Sequence, residues 1–179
     1  MNGQVNSRFG PYNGSMPRRS KTTRWLDAEE AAAWRAISFV MHRLTWALEC
    51  QLERDADLSY IEYYTLVRLS EEPNHTLRMS GLAIVTNQSL SRLSHLVKRL
   101  ETRGLLRRGT DASDGRFTNA ILTDEGYARL VASAPGHVEN VRALVIDAFS
   151  AAELRQLREA SERILARIDG GQTGRPAAT

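Results

Sequence analysis

Apolar residues recur along this chain at alternating spacings of three and four, broken by short polar stretches, and each repeat outlines a helix. Asp27 with Glu30 is a capping-box pattern that opens the first helix, which runs to about Arg54. Trp34, Ile37, Met41, Leu44 and Leu48 form one seam on it, suited to another helix, while Phe39, Trp46 and Cys50 face elsewhere. A helix that is apolar on two sides needs two partners. Ser59 with Glu62 opens a second helix to about Glu71, with Tyr63, Leu66, Val67 and Leu69 as its core face, and Pro73 and Asn74 close it. Thr76 is predicted to start a short helix containing Leu77, Met79, Leu82 and Ala83, with Asn87 in the left-handed conformation after it. Ser89 then caps a strongly two-faced helix. Leu90, Leu93, Leu96, Val97 and Leu100 share one side, and Ser91, Arg92, Ser94, His95, Lys98 and Arg99 share the other.

After Gly104 the period changes. Leu105–Arg108 and Phe117–Leu122 are short β-prone runs joined by the turn-rich GTDASDG, which together predict a hairpin. A helix–turn–helix followed by a basic hairpin is the outline of a winged helix. Thr123 caps a further helix carrying Tyr127, Leu130, Val131, Ala134, Val138, Val141, Val145 and Ala148, in which Pro135 predicts a kink or break. Ser150 with Glu153 opens a last helix with Leu154, Leu157, Ile164, Leu165 and Ile168 on its stripe. The fold class is therefore mainly α, with about six helices plus a hairpin wing. The first helix and the last two have no sheet of comparable size to cover, so they are expected to pair between subunits.

At 179 residues the chain is one domain's worth, placed at 25–169. The net charge of +3 says little by itself, whereas its distribution says more. Between Gln88 and Thr118 seven basic residues face three acidic ones, a balance that suits a phosphate backbone. Residues 1–24 contain five basic residues and no acid among Asn, Gly, Ser and Pro, and are expected to be a disordered basic tail. Such an arm can touch DNA or simply remain solvated, and the sequence leaves both open. Residues 170–179 are a Gly, Pro and Ala tail with no assigned function. The single cysteine fits a reducing cytoplasm, and the absence of a long apolar run or signal pattern argues for a cytoplasmic protein with no membrane partner.

The chemistry expected of these residues is recognition rather than catalysis. Ser89 leaves first-turn amides pointing forward, where they can hold a phosphate. Ser91, Arg92, Ser94 and His95 are placed to reach base edges in a major groove, Arg92 as the guanine reader, while Lys98 and Arg99 lie further back, where phosphates run. Arg107 and Arg108 alternate across a strand, so only one of them faces DNA. Asp114 lies two residues before Arg116, close enough to orient its guanidinium. No GxSxG, GxxxxGK[ST] or GxGxxG pattern occurs, and no catalytic residue is assigned. His42, His75, His95 and His137 show no metal-ligand spacing, and no cofactor is expected. Cys50 is read as structural, because the adjacent Glu49 is the wrong charge to activate a redox-sensing thiol.

The run LxxLVxRLExxGLxxR at Leu93–Arg108, DxxDGR at Asp111–Arg116 and LTDEG at Leu122–Gly126 together resemble the MarR family of dimeric winged-helix transcription regulators. The resemblance extends over roughly 27–169. It implies dimerisation helices at 27–54 and 124–169 flanking a DNA-binding lobe at 59–122. It also implies that Arg116 enters the minor groove with Asp114 as its positioning partner, and that the homodimer represses from a pseudo-palindromic operator. Release would come from a small molecule, often an aromatic or phenolic anion, bound between the dimer helices and the lobe. Trp34, His42, Trp46, Tyr60 and Tyr64 are the aromatic and polar residues offered for that pocket. The competing readings are a ligand-independent architectural DNA binder and a winged helix that binds protein partners. A protein-binding winged helix would have no reason to keep a basic wing with Asp114 and Arg116.

Overall fold

The computed structural model describes residues 23–111 and 114–171, so most of the basic tail at 1–24 and of the tail at 170–179 lies outside the described residues. The chain divides into two compact units, one ending at Ala36 and one beginning at Ile37. α1 (Ala28–Ala56) starts in the first and continues in the second. In the first unit the Asp27 carboxylate accepts from the Glu30 amide at 2.8 Å, and Glu30 accepts from the Asp27 amide at 3.0 Å. This is the reciprocal cap that the sequence predicts.

The second unit is built around a leucine core. Ser59 caps α2 (Tyr60–Ser70) in a full capping box with Glu62. A 3-10 turn at Pro73–His75 follows, then β1 (Thr76–Arg78) and α3 (Met79–Val85). Thr76 therefore begins a strand and not the short helix expected of it. β1 pairs antiparallel with a strand far along the chain, Leu77 opposite Ala120, and those ladder bonds outweigh a three-residue local pattern that fits helix and strand equally. Asn87 is left-handed, φ 51°, as the turn after α3 requires.

α4 (Leu90–Thr102) is capped by Ser89, whose hydroxyl accepts from the Arg92 amide at 3.3 Å, and Gly104 follows its end at φ 73°. Leu93, Leu96, Val97 and Leu100 are buried on it, whereas Leu90, expected on the same face, is exposed. β2 (Leu106–Thr110) and β3 (Thr118–Leu122) form the hairpin, and β1 extends it to a three-stranded sheet in the order β1-β3-β2. The core shared by the end of α1, α2, α3, α4 and this sheet includes Leu52, Leu58, Leu66, Leu69, Leu82, Leu93, Leu100, Leu105 and Leu106, all nearly or wholly inaccessible.

α5 (Asp124–Leu144) is capped by Thr123, whose hydroxyl accepts from the Gly126 amide at 3.0 Å and donates to the Gly104 carbonyl at 2.7 Å. The helix runs through Pro135 instead of breaking there. Pro135 and Val131 are both exposed, so water can satisfy the Val131 carbonyl that lacks its amide partner. The interruption comes later, at Val145, and a 3-10 turn at Ile146–Ala148 precedes α6 (Ala151–Gly171). Ser150 and Glu153 cap α6 as predicted. α6 also continues two residues into the stretch expected to be tail. Among the described residues, no helix is long and apolar enough to cross a membrane.

Candidate nucleic-acid interface

Three elements of the lobe converge on one basic face. α4 presents Ser91, Arg92, His95 and Lys98 as exposed side chains, none of them with a partner among the described residues. Beside its first two turns the hairpin adds Arg108 and Arg116. Between α3, α4 and the hairpin lies an open cavity of about 360 Å³ lined by Arg78, Met79, Leu90, Ser94, Arg108, Arg116 and others. Three guanidinium groups around one depression concentrate positive potential where a phosphate chain can run.

Their placement follows from local bonds. Arg108 donates to the Ser94 carbonyl at 2.8 Å and to its hydroxyl at 3.3 Å, and its own amide donates to Glu101 at 3.1 Å. Of the two adjacent arginines, Arg108 is thus the one turned toward α4, and Ser94 is half-buried beneath it rather than free to reach outward. Arg107 is exposed and without a partner among the described residues. Arg116 grips Asp114 with both ends of its guanidinium, at 3.0 Å from Nε and 2.7 Å from Nη2, and its amide donates to the same carboxylate at 3.1 Å. That paired geometry holds the Asp114 carboxyl below the ordinary carboxylate range and raises Arg116, so both remain charged. The Arg116 side chain is nevertheless 85% exposed at the tip of the hairpin. A guanidinium fixed at its base and open to solvent is pre-oriented to enter a groove.

Arg99, expected where phosphates run, is exposed and is also bonded within the chain. Its Nε lies 3.3 Å from Glu62, the buried acid of the α2 cap, which Arg103 also meets at 3.4 Å while reaching the Asp57 carbonyl. These contacts fasten the second half of α4 to the α1–α2 corner and partner its charge within the chain. The signal missing from the sequence was the partner, 37 residues upstream. Also missed was Arg78, at the end of β1, which lines the cavity and pairs with Asp111 at 2.8 Å.

The residues offered for an effector pocket are not gathered into either cavity described for the protomer. Trp34, His42 and Trp46 are exposed on α1, and Tyr60 and Tyr64 are half-buried and stacked on each other, with ring centroids 6.4 Å apart. A second cavity, of about 360 Å³, lies between the end of α1 and α5 and is lined by Arg54, Asp55, Asp57 and Arg129. Cys50 is half-buried. Among the described residues, no cluster of His, Cys, Asp or Glu is arranged to hold a metal ion.

Known proteins share this fold. A model of the MarR family matches residues 56–116, which span α2 to Arg116. The structure is similar to that of Sco3205, a MarR family transcriptional regulator from Streptomyces coelicolor solved in complex with DNA. The two are 43% identical with a TM-score of 0.79, over 88% of this chain and 97% of that one. The chain belongs to the MarR family. AbsC, another MarR family regulator from Streptomyces coelicolor, is 40% identical with a TM-score of 0.79, over 83% of this chain and 99% of its own. The transcriptional repressor MprA of Escherichia coli is 26% identical over 107 residues, and the chain spans 60% of its length. As in other MarR proteins, which are transcriptional regulators rather than enzymes, six helices and a small antiparallel sheet make up the described fold.

Proposed function

We propose that this MarR protein is a homodimeric, sequence-specific DNA-binding transcription regulator that represses by occupying a pseudo-palindromic operator. In each subunit the exposed face of α4 enters a major groove and the Arg116 wing enters the adjacent minor groove. The observation that carries the reading is the Asp114–Arg116 pair, a guanidinium oriented by its own hairpin and left open to solvent beside α4. A narrow, electronegative minor groove recognises such a group by shape. Arg92, His95 and Ser91 then read base edges, Lys98 and Arg108 track phosphates, and Ser89 offers its helix end to one. The lobe at 59–122 is the DNA-binding part, and the outer helices at 27–54 and 124–169 carry the dimer.

Dimerisation is supported by apolar side chains that the protomer leaves uncovered. Ile37, Phe39, Val40 and Trp46 on α1, Val138 and Leu144 on α5, and Ile164, Leu165 and Ile168 on α6 are all exposed. A second copy of the chain covers them by two-fold symmetry, which places half-sites about 10 base pairs apart. Regulation follows if an aromatic or phenolic acid prefers one spacing of the two recognition helices over the other. Trp34, His42 and Trp46, exposed on the helix that the second copy covers, and the Tyr60–Tyr64 stack remain the residues proposed to receive it.

The test is titration of the full chain against a duplex enriched from a random library. Arg116→Ala is expected to weaken binding by about 1–3 kcal/mol. Lys98→Ala is expected to lower the salt slope by about one, with sequence preference retained. Full affinity in the Arg116 variant would remove the minor-groove assignment.

A further inference from the structure

Arg78 lies outside the wing, on the strand that leads into the helix–turn–helix, yet its bonds run into the wing. Its Nε donates to Asp111 Oδ2 at 2.8 Å and its Nη2 to Oδ1 at 3.2 Å, across 33 residues of sequence. Its guanidinium carbon also sits 4.6 Å from the centre of the Phe117 ring. Asp111 and Phe117 face each other at the base of the wing loop, where the Asp111 amide donates to the Phe117 carbonyl at 3.0 Å. One side chain therefore holds both legs of the loop.

The bonds continue to the tip. Asp111 Oδ1, fixed by Arg78, accepts from the Asp114 amide at 3.2 Å, and the Asp114 carboxylate holds Arg116. Two ion pairs, Arg78–Asp111 and Arg116–Asp114, are thus joined through the Asp114 amide into one bonded series from β1 to the wing tip. The Asp111 side chain is only 12% exposed, so this pairing is better shielded from solvent than an ordinary surface ion pair. A two-stranded ribbon is only marginally ordered by itself, and a brace from a third strand removes motion that binding would otherwise have to freeze.

We propose that Arg78 is a positioning residue for DNA recognition, which acts through Asp111 and Phe117 to fix where Arg116 points. The proposal rests on the reading that Arg116 enters a minor groove. It assigns Arg78 a role distinct from the phosphate contact that its charge and its place on the basic face would suggest.

The experiment is a double-mutant cycle on the full chain with the library-enriched duplex, comparing wild type, Arg78→Ala, Arg116→Ala and the double variant at two salt concentrations. Arg78→Ala is expected to weaken binding roughly three- to tenfold, with the salt slope unchanged. In the Arg116→Ala background it should then cost nothing further. Arg78→Lys, which keeps the charge but loses the forked grip and planar stacking, is expected to behave like Arg78→Ala. The exchange Arg78→Asp with Asp111→Arg should recover part of the loss. Hydrogen exchange of the Arg116 and Phe117 amides should quicken in Arg78→Ala while the α4 core amides stay protected, which separates wing release from unfolding. Additive losses with a lower salt slope would make Arg78 a phosphate contact and overturn the proposal, as would full affinity in Arg78→Ala beside a weakened Arg116→Ala. Full affinity in Arg116→Ala would instead sink the minor-groove reading itself, and the proposal with it.

Discussion

α4 and α6 carry nearly the same pattern of leucines, isoleucines and valines at threes and fours, and they meet opposite fates. On α4, Leu93, Leu96, Val97 and Leu100 are buried by α2, α3 and the sheet. On α6, Leu157, Ile164, Leu165 and Ile168 remain exposed. An amphipathic repeat states that a helix needs a partner, and it does not state whose. The lobe finds its partners within the chain, as a segment that must hold a fixed recognition surface should. In the proposed dimer a second copy covers the exposed apolar faces of the outer helices, and the spacing of the two lobes can then be adjusted without repacking either.

That contrast can be broken most forcefully in the cores themselves. Leu100→Ala is expected to destabilise the folded chain by about 2–5 kcal/mol in urea unfolding. Leu165→Ala should leave the lobe's hydrogen-exchange protection unchanged and instead shift sedimentation toward monomer. Equal effects of the two on lobe stability would erase the distinction.

A smaller loss is expected at the seam between wing and α5. A Cβ on Gly126 would come within 2.1 Å of the Leu105 carbonyl oxygen and 2.8 Å of Leu122, so LTDEG needs glycine for close approach. Gly126→Ala should cost about 1–3 kcal/mol, read in the same denaturation assay. An unchanged midpoint would show that the start of α5 can shift without consequence.

The smallest effect concerns His137, where α5 meets α1 and α2. Its Nδ1 lies 3.1 Å from Oε1 of buried Gln51, whose amide donates to Asp55 at 3.0 Å, and its ring packs 4.5 Å from that of Tyr63. Burial lowers its pKa below the ordinary 6.5. The unfolded chain then binds the proton more readily, so stability is fully present above 6.5 and falls as pH drops through that value toward the folded pKa. Unfolding midpoints measured across this range should fall for the wild type and fall less for His137→Gln. Parallel curves would place the titration elsewhere.

What was legible in the sequence was local. Asp27, Ser59, Ser89, Thr123 and Ser150 all cap helices as read, because each bond reaches only three residues along the chain. The Asp114–Arg116 grip was legible for the same reason, at a separation of two. What was lost depended on distance. β1 is a strand through its pairing with β3, Arg99 is held by Glu62, and Arg78 is bound to the wing by a carboxylate 33 positions away. Pro135 does not break α5, since its cost in a helix depends on whether the carbonyl it strands is solvated. For the residues offered as an effector pocket the protomer says least, because three of the five lie exposed on α1, the helix that a second chain covers in the proposed dimer.

In the proposed complex two copies of this lobe read DNA together, with α4 in the major groove and Arg116 in the minor. Selection of the full chain from a random duplex library at about 0.15 M salt tests it most directly. The expected result is a two-fold-symmetric motif with half-sites about 10 base pairs apart and an A·T-rich segment where each wing lies. Enrichment without any motif, or none at all, would contradict it.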